Sequence, residues 1–104
     1  MSQAIKPSAK RPRQVAEQVA GLARGMLGAD TKVYWFGSWP EGRAVERSDV
    51  DVGIIASQPI PLDQLSQLRG AVEELPTLYM IDLVDLNAAG AELRERAITR
   101  GIRL

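Results

Sequence analysis

Phe36-Gly37-Ser38-Trp39-Pro40-Glu41-Gly42-Arg43-Ala44-Val45-Glu46-Arg47-Ser48-Asp49-Val50-Asp51-Val52-Gly53-Ile54-Ile55 is the stretch on which the reading turns. An apolar, aromatic run ends here in a Gly-Ser turn. A polar segment follows, and then a β-rich run with acids at i and i+2. Side chains two apart in a strand share a face, so Asp49 and Asp51 project together, their Cα atoms about 6.5–7 Å apart. Val50, Val52 and Ile54 take the opposite face, and Gly53 leaves room on the acidic one. Charge among Val and Ile is costly unless paired, so the two acids imply a cation.

Working outward, Thr31 to Phe36 reads as a strand, β-branched and aromatic, and Asp49 to Ile55 as a second. Between them Gly37 to Ser48 is a loop, with a short helical turn expected near Pro40 to Val45. Before them, Val15, Val19, Leu22, Met26 and Leu27 recur at three- and four-residue spacing, predicting a helix over 13–27 closed by Gly28. After them, Leu62, Leu65, Leu68, Val72 and Leu75 mark a helix that Pro76 ends. Tyr79 to Leu86 is a third strand, Ala88 to Arg100 a last helix, and Ile102 to Leu104 a short extended end. Residues 1–12, with Lys6, Lys10, Arg11 and two prolines, read as a flexible basic tail.

The order α-β-β-α-β-α predicts an α+β fold: a small mixed sheet of three or more strands with helices on one side. The first two strands are expected to be antiparallel. The crossover through 62–75 permits the last two to be parallel.

The 104 residues suit one domain, and 45% apolar content supports a core. Acids and bases balance, so bulk charge selects no partner. The chain has no Cys and no His, which removes thiol and imidazole chemistry and the zinc sites built on them. A metal must then be held by oxygen, which points to Mg²⁺, Mn²⁺ or Ca²⁺, with Mg²⁺ expected, as one ion or two. No apolar run approaches the ~18 residues of a membrane span, and a cytoplasmic location is expected. The basic tail and the cluster Arg94, Arg96, Arg100 and Arg103 read mainly as solvated faces, so no nucleic-acid partner is expected.

The third strand, Ile81-Asp82-Leu83-Val84-Asp85, again carries an acid inside an apolar run. Asp82 is the candidate third carboxylate. Asp85, on the other face, reads as an exposed strand-end acid or a helix-capping acid. At the turn, Gly37 lets a phosphate approach the backbone and the Ser38 hydroxyl can donate to it. Gly-Ser followed ten residues later by Asp-x-Asp arises by chance in roughly one in a thousand chains of this length.

Gly37, Ser38, Gly42, Ser48, Asp49 and Asp51 together resemble the signature of the DNA polymerase β-like nucleotidyltransferase superfamily, in particular its minimal nucleotidyltransferase branch. The later acid of that pattern matches Asp82, and the resemblance extends over 13–104. It implies that Asp49, Asp51 and Asp82 hold the metals while Gly37 and Ser38 hold the triphosphate of ATP, with Gly42, Arg43, Arg47 and Ser48 expected to complete the nucleotide site. It also implies a HEPN-type toxin as partner, inactivated by AMP transfer to a tyrosine. The pattern departs at Trp39 and Glu41, where many relatives carry Arg; Arg43 and Arg47 are the nearest cations. Trp39 has three open readings: a stacking platform for a base, a partner contact, or a cover for the loop. Protection of a partner by stoichiometric contact, and transfer to a small molecule or RNA end, are alternative functions.

Overall fold

The computed structural model describes residues 6–104, so the first five residues of the expected tail lie outside it. Helix α1 spans Lys10–Leu27, opening at Lys10 rather than Arg13. Pro12 fits its first turn, where no intrahelical N–H bond is needed. Far from lying in a tail, Pro12 is buried, continuing the stripe of Val15, Ala16, Val19, Ala20 and Ala23.

Strand β1 (Lys32–Phe36) pairs antiparallel with β2 (Val50–Ile55), in a register that sets Phe36 opposite Asp51. Helix α2 (Leu62–Glu73) then carries the chain to β3 (Ile81–Asp85), which runs parallel to β2 with Asp82 opposite Asp51. Helix α3 (Ala91–Arg100) leads into β4 (Ile102–Arg103), which pairs antiparallel with β1. The sheet order is β3-β2-β1-β4, so the extended end read from sequence is a fourth strand.

The expectation of helices on one side of the sheet is corrected. Four consecutive β1 residues, Val33 to Phe36, are buried, which requires cover on both faces. Val33 and Trp35 join Val50, Val52, Ile54 and Leu83 beneath α1 and α2. Tyr34 and Phe36 pack with Leu86 and Ala97 of α3 on the other side. The acidic face of β2 is therefore partly roofed by α3 and Leu86, and its end near Phe36 is left to the loop. Among the described residues no helix is long and apolar enough to cross a membrane.

Gly53 lies under that roof. A Cβ there would stand 2.5 Å from Cδ1 and 2.8 Å from Cγ of Leu86, which is fully buried and has nowhere to retreat. Gly53→Ala is expected to cost about 1–3 kcal/mol by overpacking, read as a lower urea midpoint with an unchanged slope.

Candidate active site

The Gly37–Ser48 loop is shaped by backbone hydrogen bonds and one indole, with Ser48 N–H donating to Val45 O at 3.0 Å at its far end. Glu41 N–H donates to Gly37 O at 3.2 Å, Gly42 N–H to Trp39 O at 3.1 Å and Arg43 N–H to Ser38 O at 2.9 Å. These make a chain of turns, and the helical turn expected at Pro40–Val45 does not form. Gly42 has φ +74°, the left-handed region that suits glycine. Trp39 is only 6% exposed, its Nε1 donates to Ser48 O at 2.9 Å, and its ring meets Tyr79 edge-on at 6.1 Å. Trp39 thus pins the loop and is not free to stack on a base. Ser48 closes the far end: its hydroxyl accepts from Val45 N–H at 2.8 Å.

Gly37 is required twice over. Its φ is +85°, and a Cβ on it would overlap the Asp51 carboxylate. The turn and the acid are therefore in contact, and only glycine permits it. Ser38 is half-buried and lines the same site.

A pocket of about 540 Å³ opens at this point. Asp49, Asp51 and Ser48 form one wall, Gly37, Ser38 and Arg43 the loop side, and Leu93 and Arg96 of α3 the opposite wall. Asp82 stands beside it, exposed, one strand over from Asp51. Gly42 and Arg47, expected to bind the triphosphate, do not line it; both border other clefts. The cleft bordered by Gly42, about 800 Å³ between Lys6–Arg11 and the 42–46 turn, contains none of the three aspartates. Asp85 caps the end of β3, its Oδ1 accepting from Asn87 N–H at 3.0 Å.

The acids influence one another. Burial first, then the charges of Asp82 and Asp49, push the Asp51 carboxyl up to about 6. Among the described residues no three acids form a closed ligand group; Asp49 and Asp51 share a face two residues apart, and Asp82 lies opposite Asp51 on the next strand. The donor chemistry still fits a hard divalent cation, since every available donor is oxygen and a nearby cation offsets both the burial and the acid–acid repulsion that raise Asp51.

Sequence reading missed the other charged feature. Glu41, with a side chain 12% exposed, faces three guanidiniums. Arg96 donates to it twice, at 3.3 Å from Nε and 3.1 Å from Nη2, while Arg43 and Arg100 lie at 3.5 and 3.7 Å. The hydrogen bond from Arg96, helped by the three positive charges, lowers the Glu41 pKa. Arg96 and Arg100 are one helical turn apart and share a face, the only clue the sequence offered. Arg94 faces elsewhere, its Nε donating to Leu86 O at 2.8 Å.

The raised pKa of Asp51 has a sign. The folded state holds this proton more tightly than the unfolded chain, so the group's contribution to stability falls as pH rises from about 4 to 6. Asp51→Asn is expected to stabilise the metal-free protein at pH 7 by about 1–2 kcal/mol, discounted because the group is half-exposed and screened. At pH 3.5, where the carboxyl is protonated, the gain should vanish. Thermal unfolding in a chelator at both pH values checks this.

Residues 30–104 match the family model described as Polymerase beta, Nucleotidyltransferase. The chain is 32% identical over 73 residues to the protein adenylyltransferase MntA of Shewanella oneidensis, an alignment covering 69% of this chain and 51% of that protein. It therefore spans about half the length of that curated relative. In structure it resembles a chain described as a minimal nucleotidyltransferase, with TM-score 0.70 and 25% identity over 97% of this chain and all of that one. It also shares its fold with a chain from the complex of tri-AMPylated Shewanella oneidensis HEPN toxin and MNT antitoxin, at TM-score 0.59 and 21% identity, covering 88% and 70% of the two chains. The matched family region takes in all four strands and every residue lining the pocket between Gly37 and Arg96. On that coverage, the chain belongs to the polymerase beta nucleotidyltransferase family.

Proposed function

We propose that the chain transfers AMP from ATP to a tyrosine of a HEPN-type toxin, acting as that toxin's antitoxin. The observation that carries this reading is the contact between the Gly37 turn and the Asp51 carboxylate, with Asp49 alongside and Asp82 one strand away. A phosphate-holding turn and cation-demanding acids then share one pocket. The names of the relatives support the choice of donor and partner: one is a protein adenylyltransferase, and another fold relative comes from a complex with an AMPylated HEPN toxin.

In this reaction the tyrosyl oxygen attacks the α-phosphorus of ATP. The new O–P bond forms as the bond to the pyrophosphate oxygen breaks, and the phenolic proton leaves. Gly37 allows a phosphate oxygen to approach the backbone, and the Ser38 hydroxyl donates to it. Asp49, Asp51 and Asp82 would hold Mg²⁺ or Mn²⁺, which supplies charge neutralisation for the leaving pyrophosphate. Asp82 is exposed beside the pocket on edge strand β3. It is thus reachable by an acceptor on a second protein, and is suited to assist removal of the phenolic proton. The buried Trp39 keeps the loop rigid, so phosphate binding costs little ordering.

The pairing of Glu41 with the pocket's arginines favours a second reading, in which nucleotide binding is weak and protection is stoichiometric. One experiment separates the two. The chain is incubated with its HEPN partner, ATP and Mg²⁺, and the partner is weighed by intact-protein mass spectrometry. Whole AMP increments are expected on tyrosine, none with Asp49→Ala/Asp51→Ala, and none in a chelator. No increment with the wild type, or equal increments with the double variant, refutes transfer. Protection by the double variant would then establish the stoichiometric reading.

A further inference from the structure

The pocket is electrically divided. On the β2 wall stand Asp49 and Asp51; across from them Arg43 of the loop and Arg96 of α3 line the pocket, and together with Arg100, one turn further along α3, they face the single carboxylate of Glu41. One acid against three bases leaves two positive charges uncompensated beside the Ser38 turn. A polyphosphate with a divalent cation has the same polarity, cation toward the acids and phosphates toward the guanidiniums.

We propose that Glu41 is an internal stand-in for phosphate: it holds Arg96 in position in the free protein and yields it when a polyphosphate enters. This rests on the nucleotidyltransferase reading for the identity of the natural ligand, and deepens it by assigning the cations of the polyphosphate subsite. Three observations carry it. Glu41 engages Nε and Nη2 of Arg96 with its two oxygens at 3.3 and 3.1 Å, the two-point contact that a phosphate makes with a guanidinium. At 3.5 and 3.7 Å Arg43 and Arg100 are ion-paired to Glu41 but lie too far for short hydrogen bonds to it, so their donors remain available to a ligand. The guanidinium-bearing side chains are 48–64% exposed while that of Glu41 is 12% exposed, so a ligand arriving from solvent meets the cations first.

The consequence is control of affinity. A carboxylate that competes for Arg96 weakens every polyphosphate. After transfer, Glu41 recaptures Arg96 and favours release of pyrophosphate. Glu41 and Arg96 are positioning residues in this scheme and form no bond to the transferred group.

The test titrates inorganic tripolyphosphate into the chain by calorimetry, without metal and at low salt. Arg96→Ala is expected to weaken binding at least about tenfold, with Arg96→Lys between it and the wild type, because a point charge loses the two-point contact. Glu41→Gln is expected to tighten binding about three- to tenfold by removing the competing charge. A purely structural role for Glu41 would give the opposite sign. Arg103→Ala, on β4, controls for general loss of positive charge and should leave binding within about twofold of wild type. Should Glu41→Gln fold poorly, the ¹⁵Nε–H signal of Arg96 in the wild type still decides, since tripolyphosphate must move it. Absent wild-type binding, an unmoved Arg96 signal, an Arg96→Ala affinity equal to wild type, or weaker binding by folded Glu41→Gln each overturns the inference. AMP transfer combined with any of those results leaves the proposed function standing and removes this inference alone. The expected tripolyphosphate behaviour with no AMP transfer does the reverse.

Discussion

The contact between Gly37 and the Asp51 carboxylate is the constraint on which the rest of the structure depends. It exists because β1 and β2 pair antiparallel with Phe36 opposite Asp51, so the residue that ends one strand lies over the acid that begins the other. A side chain at residue 37 would collide with the carboxylate, and the left-handed backbone there would strain it further. Removing the Cβ leaves a bare backbone beside a partly desolvated acid, which is an unfavourable arrangement for stability alone. Burial and two neighbouring acids already oppose ionisation of Asp51. Stability is forgone locally, a common feature of sites whose function needs strain or repulsion.

Everything else supports that contact from a distance. Helices α1 and α2 bury the Val50, Val52 and Ile54 face of β2, which fixes Asp49 and Asp51 on the other. Trp39 ties both ends of the loop together through its ring and its bond to Ser48. Helix α3 covers only part of the acidic face and brings Arg96 to its open edge. The result is a pocket with two charged halves, one formed by neighbours in sequence and one by residues 55 apart.

That difference in separation explains what was legible beforehand. Strand alternation alone placed Asp49 and Asp51 together and sent Asp85 to the other face. The crossover through α2 permitted the parallel pairing that sets Asp82 beside Asp51. The placement of α3 was misjudged, although Val33 to Phe36 offered no polar alternation and so required cover on both faces. Pro12 was read as tail because its helix-breaking character dominates when burial is unknown; in a first turn that character has no cost. The family signature places Gly42 at the site and proximity in sequence places Arg47 there, but in the fold both border other clefts. The Glu41–Arg96 pair depends on how α3 lies across the sheet, and no local spacing encodes it.

The central claim is that the space between the Gly37–Ser38 turn and the strand acids is where nucleotide and metal meet. The most direct measurement is a backbone amide NMR titration of the chain with a non-hydrolysable ATP analogue and Mg²⁺. The account predicts the largest shifts at Gly37, Ser38, Asp49 and Asp51, with Arg96 moving alongside. Saturable shifts centred instead on the cleft between Lys6–Arg11 and the 42–46 turn, with Gly37 and Asp51 unmoved, would contradict it.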